Sequence, residues 1–244
     1  MTWGIVVFPG SNCDRDCLHV LRSVLGQEVV EVWHADRTLD GVDALVLPGG
    51  FSYGDYLRPG AIAATAAIMP AVCRLAASGG PVLGICNGFQ ILTEVGLLPG
   101  TLMRNTGGRF VCRTVWVRVE TTDTLFTAGL RVGEVLRMPI AHGDGCYLVD
   151  PSGIARLEAS GRVVFRYCDA QGQVTPVSNP NGSIASIAGI ANDAGNVVGL
   201  MPHPERAAEA ILGSTDGRRV FESAIAALGG RATPATARMA GAAR

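Results

Sequence analysis

The sequence predicts an α/β protein: an open, mostly parallel sheet with helices on both faces, with appended antiparallel strands. Three observations lead there. Over roughly the first hundred residues, short continuous apolar runs alternate with stretches of helical spacing. Beyond about Phe110 the apolar residues alternate with polar ones instead, the spacing of strands with one wet face. The runs that carry candidate chemistry each lead into a tight turn, the place where open α/β sheets bind ligands.

Trp3-Gly4-Ile5-Val6-Val7-Phe8 is apolar throughout and reads as a strand covered on both sides. Pro9-Gly10-Ser11-Asn12 makes a loop, and a helix is expected from Asp14 to Leu25. Glu28 to Trp33, Asp43 to Leu47 and Pro81 to Ile85 are further strands, with helices over Ala61 to Ser78 and Gly88 to Val95. Arg109 to Glu120, Arg162 to Tyr167 and Ser186 to Ala191 alternate, with Gly/Asn/Asp turns between them, and predict the antiparallel addition. Val197 to Met201 is another buried strand, and Arg218 to Leu228 a last amphipathic helix. No repeat or linker interrupts residues 1–228, which read as one domain; 229–244, rich in Ala and Arg without periodicity, read as a disordered tail.

Composition removes several functions. A net charge of -1 gives no attraction to nucleic acid or to an anionic membrane. The apolar stretch from Ala61 is cut by Pro70 and Arg74, too short to span a bilayer, and Met1-Thr2-Trp3-Gly4 lacks the basic region of a signal peptide. The expected location is cytoplasmic. The seven Cys show no metal-type pairing: Cys13 and Cys17 have no second pair or His doublet, so no metal site is expected. All 20 basic residues are Arg. Without Lys there is no Schiff base, no pyridoxal phosphate attachment and no Walker-type phosphate lysine. If the protein serves ATP-driven synthesis, another chain handles the ATP.

Three segments carry chemistry. In Gly84-Ile85-Cys86-Asn87-Gly88 a strand runs into Gly-x-Cys-x-Gly and a helix follows at once. Small residues at -2 and +2 permit the sharp turn of a nucleophile elbow. The helix N-terminus favours a thiolate at Cys86, and the N–H of Asn87 can serve an oxyanion. By itself this pattern is equally a buried Cys in a turn. Met201-Pro202-His203-Pro204-Glu205 supplies the imidazole a thiol needs, with a carboxylate to orient it. The prolines are expected to keep this stretch extended, putting Glu205 on the same side as His203. His142, in Pro139-Ile140-Ala141-His142-Gly143-Asp144-Gly145, is the rival base, placed in a Gly-rich loop; His19 and His34 read as structural. Leu47-Pro48-Gly49-Gly50-Phe51 also follows a strand, and its glycines let a second amide approach an oxyanion.

With these segments in place, the chain resembles the class I, triad-type glutamine amidotransferases, from residue 3 to about 228. Within them it is similar to the glutaminase subunits of purine biosynthesis. Pro9-Gly10-Ser11-Asn12-Cys13-Asp14, Gly49-Gly50-Phe51-Ser52-Tyr53-Gly54-Asp55-Tyr56-Leu57-Arg58 and Asn87 carry the narrower likeness. The resemblance implies that Cys86 attacks the glutamine amide, His203 shuttles the proton and Glu205 orients it. Gly50 or its neighbour Phe51, with Asn87, would bind the oxyanion, and Gln90 would shape the glutamine pocket. It also implies no cofactor on this chain, with L-glutamine as substrate. The partners implied are a large synthetase subunit that holds ATP and Mg and a small assembly subunit. The loop Asn179-Pro180-Asn181-Gly182-Ser183 is expected to face a partner. A free-standing cysteine hydrolase and a silent regulatory subunit are the competing readings.

Overall fold

A computed structural model describes residues 1–229. The N-terminal part runs β1 (Thr2–Val7), α1 (Asp14–Leu18), β2 (Glu28–Trp33), β3 (Ala44–Leu47), α2 (Met69–Ala77), β4 (Val82–Ile85) and α3 (Asn87–Glu94). There follow β5 (Thr101–Met103), β6 (Val111–Val119), β7 (Val135–His142), β8 (Cys146–Leu148), α4 (Pro151–Ala159), β9 (Val163–Cys168), β10 (Ile187–Ala191), β11 (Val197–Leu200) and α5 (Arg218–Ala227). One sheet takes nine of the strands, in the order β2-β1-β3-β4-β11-β10-β9-β6-β7, and β5 pairs with β8 apart from it.

The sheet has two halves of different character. From β2 to β11 every pairing is parallel; from β11 to β7 every pairing is antiparallel. The parallel half has the flavodoxin-like order, with β11 arriving from late in the chain to take the outer place beside β4. Going from β1 the chain adds β2 on one side and β3 on the other, so right-handed crossovers put α1 and α2 on opposite faces. Burial on both sides explains why β3, β4 and β11 are apolar at every position. Trp3, Phe8, Phe89, Phe165 and Phe221 are the large anchors of the continuous core.

The antiparallel half curls back toward the parallel half. Although β11 and β7 lie four places apart in the sheet, the His203 amide just beyond β11 donates to the Pro139 carbonyl of β7 at 2.8 Å. That bond ties the far edge of the sheet to the C-terminal ends of the parallel strands.

Several expectations need correction. The helix expected over Ala61 to Ser78 begins only at Met69, after a 3-10 turn at Ala63–Thr65, because Pro70 fits only the first turn of a helix. The helix from Asp14 changes to π-helical geometry over His19–Val24. β7 and α4 were not anticipated, and His142 ends a strand rather than lying in a loop. Pro139 disguises β7, yet an edge strand tolerates it. Beyond Gly229 the expected tail lies outside the described residues. No helix among the described residues is long and apolar enough to cross a membrane.

Candidate active site

Cys86 stands between β4 and α3 with φ 51° and ψ -103°, a conformation that costs an L-residue about 1–3 kcal/mol. Two bonds hold it there. Its amide donates to the Leu200 carbonyl at 2.8 Å, and its carbonyl accepts from the Gln90 amide at 3.1 Å. The flanking glycines are required by packing: a Cβ on Gly84 would stand 2.7 Å from the Gly88 carbonyl oxygen, and one on Gly88 would strike the Leu47 carbonyl. The amides of Asn87 and Gly88 fall in the first turn of α3, where no intrahelical acceptor exists. Cys86 is therefore at the positive end of the helix, and it opens onto a cavity of about 230 Å³.

His203 follows β11 and is 2% exposed. Its Nδ1 lies 2.6 Å from Glu205 Oε1, and Glu205 is 1% exposed. The intervening geometry differs from expectation. His203 is extended, but Pro204–Arg206 form a 3-10 turn, which swings Glu205 back under the imidazole. With Nδ1–H donating to the carboxylate, Nε2 is left buried and without a fixed partner, available to a thiol. Burial opposes charge on His203, but Glu205 and then Cys86 outweigh it and hold the imidazole well above its usual range.

The second glycine turn is tied to the loop after β1. Phe51 N–H donates to Gly10 and Asn12 N–H to Gly49, at 2.9 and 3.2 Å, flanking the Ser11–Gly50 bridge. In an antiparallel pair of that kind the central residue turns its own amide away from the partner strand. The Gly50 N–H thus turns away from the Ser11 strand on a residue that lines the cavity, while the Phe51 N–H is already engaged. Between the two candidates for a second oxyanion donor, geometry favours Gly50. Its φ of +143°, and the 2.6 Å separation a Cβ would have from the Asn12 nitrogen, demand glycine. Phe51 contributes its ring instead, tilted toward Phe110 across the cavity mouth with centroids 6.4 Å apart.

Asn87 and Gln90 organise the cavity wall. Asn87 Oδ1 accepts from the Ser52 amide at 3.2 Å, and its Nδ2 donates to Gln90 Oε1 at 2.9 Å. Gln90 Nε2 donates in turn to the Asp144 carbonyl at 2.6 Å. His142, the rival base, also lines the cavity, but its Nδ1 meets the Asn105 amide oxygen at 3.2 Å rather than a carboxylate. Burial, then the nearby His203, lower it to about 4, so it is a neutral imidazole at physiological pH.

Sequence reasoning missed Cys13. Its Sγ lies 3.8 Å from His203 Nδ1 and 3.0 Å from the Arg206 guanidinium, behind the imidazole. Burial pushes this thiol up, against the pull of His203 and Arg206, so it stays protonated. Cys13, His203 and Glu205 bring three donor atoms within 4.8 Å of one another. A cation there would have to break the His203–Glu205 bond and meet the Arg206 charge, so the cluster suits proton transfer better. The loop of residues 179–183, expected to face a partner, turns two of its side chains inward. Asn181 Nδ2 donates to the Gly145 carbonyl at 2.7 Å, and Ser183 Oγ accepts from the Tyr147 amide at 3.0 Å.

Thiol, imidazole and glycine turn project from the neighbouring strands β4, β11 and β3, at one edge of the sheet. Triad-type amidotransferases have this layout, and the chain belongs to that class: the family model of the CobB/CobQ-like glutamine amidotransferase domain matches residues 2–224. Its relatives narrow the class further. It is 57% identical over 225 residues to the phosphoribosylformylglycinamidine synthase subunit PurQ of Moorella thermoacetica, covering 92% of this chain and 95% of that one. It is 58% identical over 222 residues to the subunit of the same name from Bradyrhizobium diazoefficiens, covering 91% and 95%. Among solved structures it superimposes on a chain of PurLQS from Thermotoga maritima with a TM-score of 0.82 and 46% identity, covering 93% of this chain and 98% of that one.

Proposed function

We propose that this chain is the glutaminase subunit of a phosphoribosylformylglycinamidine synthase, a cytoplasmic enzyme of purine biosynthesis. It hydrolyses L-glutamine to glutamate and ammonia. The ammonia passes to an ATP-dependent synthetase subunit, which converts formylglycinamide ribonucleotide to formylglycinamidine ribonucleotide. Identity above half over nearly the full length of named relatives supports the assignment. The observation that carries the chemistry is the buried His203–Glu205 pair beside a cysteine held on a strained elbow.

The steps follow from the geometry. His203 Nε2 takes the Cys86 proton, and the sulfur attacks the side-chain carbonyl carbon of glutamine. The resulting oxyanion is held by the Gly50 and Asn87 amides, preorganised donors of the kind that contribute about 3–4 kcal/mol each. The C–N bond breaks as His203 returns the proton to the leaving nitrogen, releasing ammonia and leaving a γ-glutamyl thioester. Water, deprotonated by His203, then attacks the thioester; glutamate leaves and the thiol is restored. Glu205 keeps its charge throughout and fixes the imidazole tautomer. No step calls for a cofactor on this chain; ATP and Mg belong to the synthetase, and a small subunit helps assemble the complex.

The test is made on the complex reconstituted with the synthetase. Cys86→Ala should abolish glutamine-dependent synthesis, by about a millionfold in the chemical step, while synthesis from added ammonium salts continues. Retained glutaminase activity in that variant would overturn the reading. Full turnover of the isolated wild-type chain, unchanged by the synthetase, would favour a free-standing hydrolase.

A further inference from the structure

The cavity beside Cys86 contains two carboxylates to which the mechanism gives no role. Asp55 comes from the loop after β3 and Asp144 from the loop after β7, and both line the cavity with Cys86 and Gln90. Neither belongs to an ion pair among the described residues. Asp55 has only a long contact, 3.5 Å from Asn87 Nδ2. Burial, then the charge of Asp144, raise Asp55 to about 6, the mark of an anion without its counterion.

A second, independent acceptor lines the same cavity. The Asn105 amide donates through Nδ2 to the Arg109 and His142 carbonyls, and its oxygen accepts from the Gly145 amide. That fixes Oδ1 toward His142, so His142 Nδ1 carries the proton and Nε2 presents a lone pair. Nε2 is buried without a partner, on a residue 2% exposed. Gln90 itself is spent, with its oxygen on Asn87 and its nitrogen on the Asp144 carbonyl. The unfilled capacity of this wall is therefore for donors, and for positive charge. Among the described lining residues the one guanidinium is Arg104.

We propose that Asp55 and Asp144 clamp the α-ammonium group of L-glutamine and so restrict this site to amides that carry a free α-amino group. The clamp rests on the glutaminase reading and adds what that reading lacks, a basis for substrate choice. Because the two aspartates come from opposite halves of the sheet, the clamp exists only when the halves are closed on each other. Gln90 acts as a positioning residue, holding the backbone of Asp144.

The experiment compares L-glutamine with glutaramate, the same amide without the α-amino group, in the reconstituted complex. The readout is the ratio of the two kcat/KM values. In Asp55→Asn this ratio should fall at least tenfold, chiefly through KM for L-glutamine. Asn suits the test because it tolerates the φ of +55° at this position. Asp144→Asn, on an unrelated loop, should move the ratio in the same direction and covers the case of a misfolded Asp55 variant. A parallel fall on both amides, leaving the ratio within twofold of wild type in both variants, would overturn the clamp. Wild-type complex that fails to hydrolyse L-glutamine would instead sink the glutaminase reading, so the two failures are distinct.

Discussion

The parallel and antiparallel halves of the sheet do different work at one site. In the proposed mechanism the parallel half supplies the reacting groups, each on a short turn beyond a strand buried on both faces: Cys86 after β4, Gly50 after β3 and His203 after β11. The antiparallel half supplies no member of the triad. It supplies a wall, made of His142 and Asp144, and the Pro139 carbonyl that seats the His203 backbone. The difference teaches where rigidity is needed. The proposed reacting groups follow strands fixed by pairing on both edges. The wall residues stand at the end of edge strand β7 and on the loop after it, braced by side-chain amides such as Asn105 and Asn181.

If that division holds, changes at the parallel edge should act on kcat and changes in the antiparallel wall on KM. After Cys86→Ala, the largest effect is expected from His203→Ala, a loss in glutamine-dependent kcat of at least about a thousandfold, with Glu205→Gln milder. Steady-state glutaminase assays of the complex measure both, and a main effect on KM in either would break the comparison. Gly49→Ala should follow: its Cβ would stand 2.8 Å from His203 Cε1 and 3.0 Å from Cys13 Sγ. Displacing the imidazole should cost about a hundredfold in kcat, read with glutamine saturating.

Asn181→Ala probes the wall. It strips the Gly145 carbonyl of a buried donor and should destabilise the chain by about 1–3 kcal/mol while raising KM for glutamine more than it lowers kcat. Denaturant melts and initial rates together decide this, and a pure kcat defect would count against it.

The smallest effect concerns Asp55 and pH. Its folded pKa, about 6, lies above the ordinary 3.8, so the folded state holds this proton more tightly than the unfolded state. Stability from this group is full below about pH 4 and is lost as pH rises through 6. Asp55→Asn should therefore raise Tm by a few degrees at most at pH 7–8, an order-of-magnitude figure reduced for solvent screening. The gain should vanish by pH 4. Tm measured against pH for both proteins would show it, and an equal difference at every pH would contradict it.

Legibility in the sequence followed the same division. β1, β3, β4 and β11 announce themselves as uninterrupted apolar runs, and the turns after β1, β3 and β4 were readable from their glycines, the one after β11 from its prolines. The candidate site residues Cys86, His203 and Glu205 were legible because two short segments have the pattern of a nucleophile and its base, and the structure brings them to one sheet edge. β7 was not, since Pro139 breaks the run and only its place at the sheet edge makes that proline acceptable. Asp55 and Asp144 lie far apart in the chain, and nothing local encodes their meeting; the curl of the antiparallel half does. The turn that folds Glu205 beneath His203 was hidden for a related reason, because Pro204 suits an extended segment and a 3-10 turn equally.

The bond from His203 to Pro139 also orders events in time. As the chain leaves the ribosome, the elbow around Cys86 emerges well before the base that would ionise it. His203 arrives near the end of synthesis, and its seat depends on β7, which must first be curled into place through long-range pairing of the slow kind. In the proposed mechanism a chain whose sheet has not yet closed holds the nucleophile without its base, so glutamine turnover should appear only once β7 and β11 are joined.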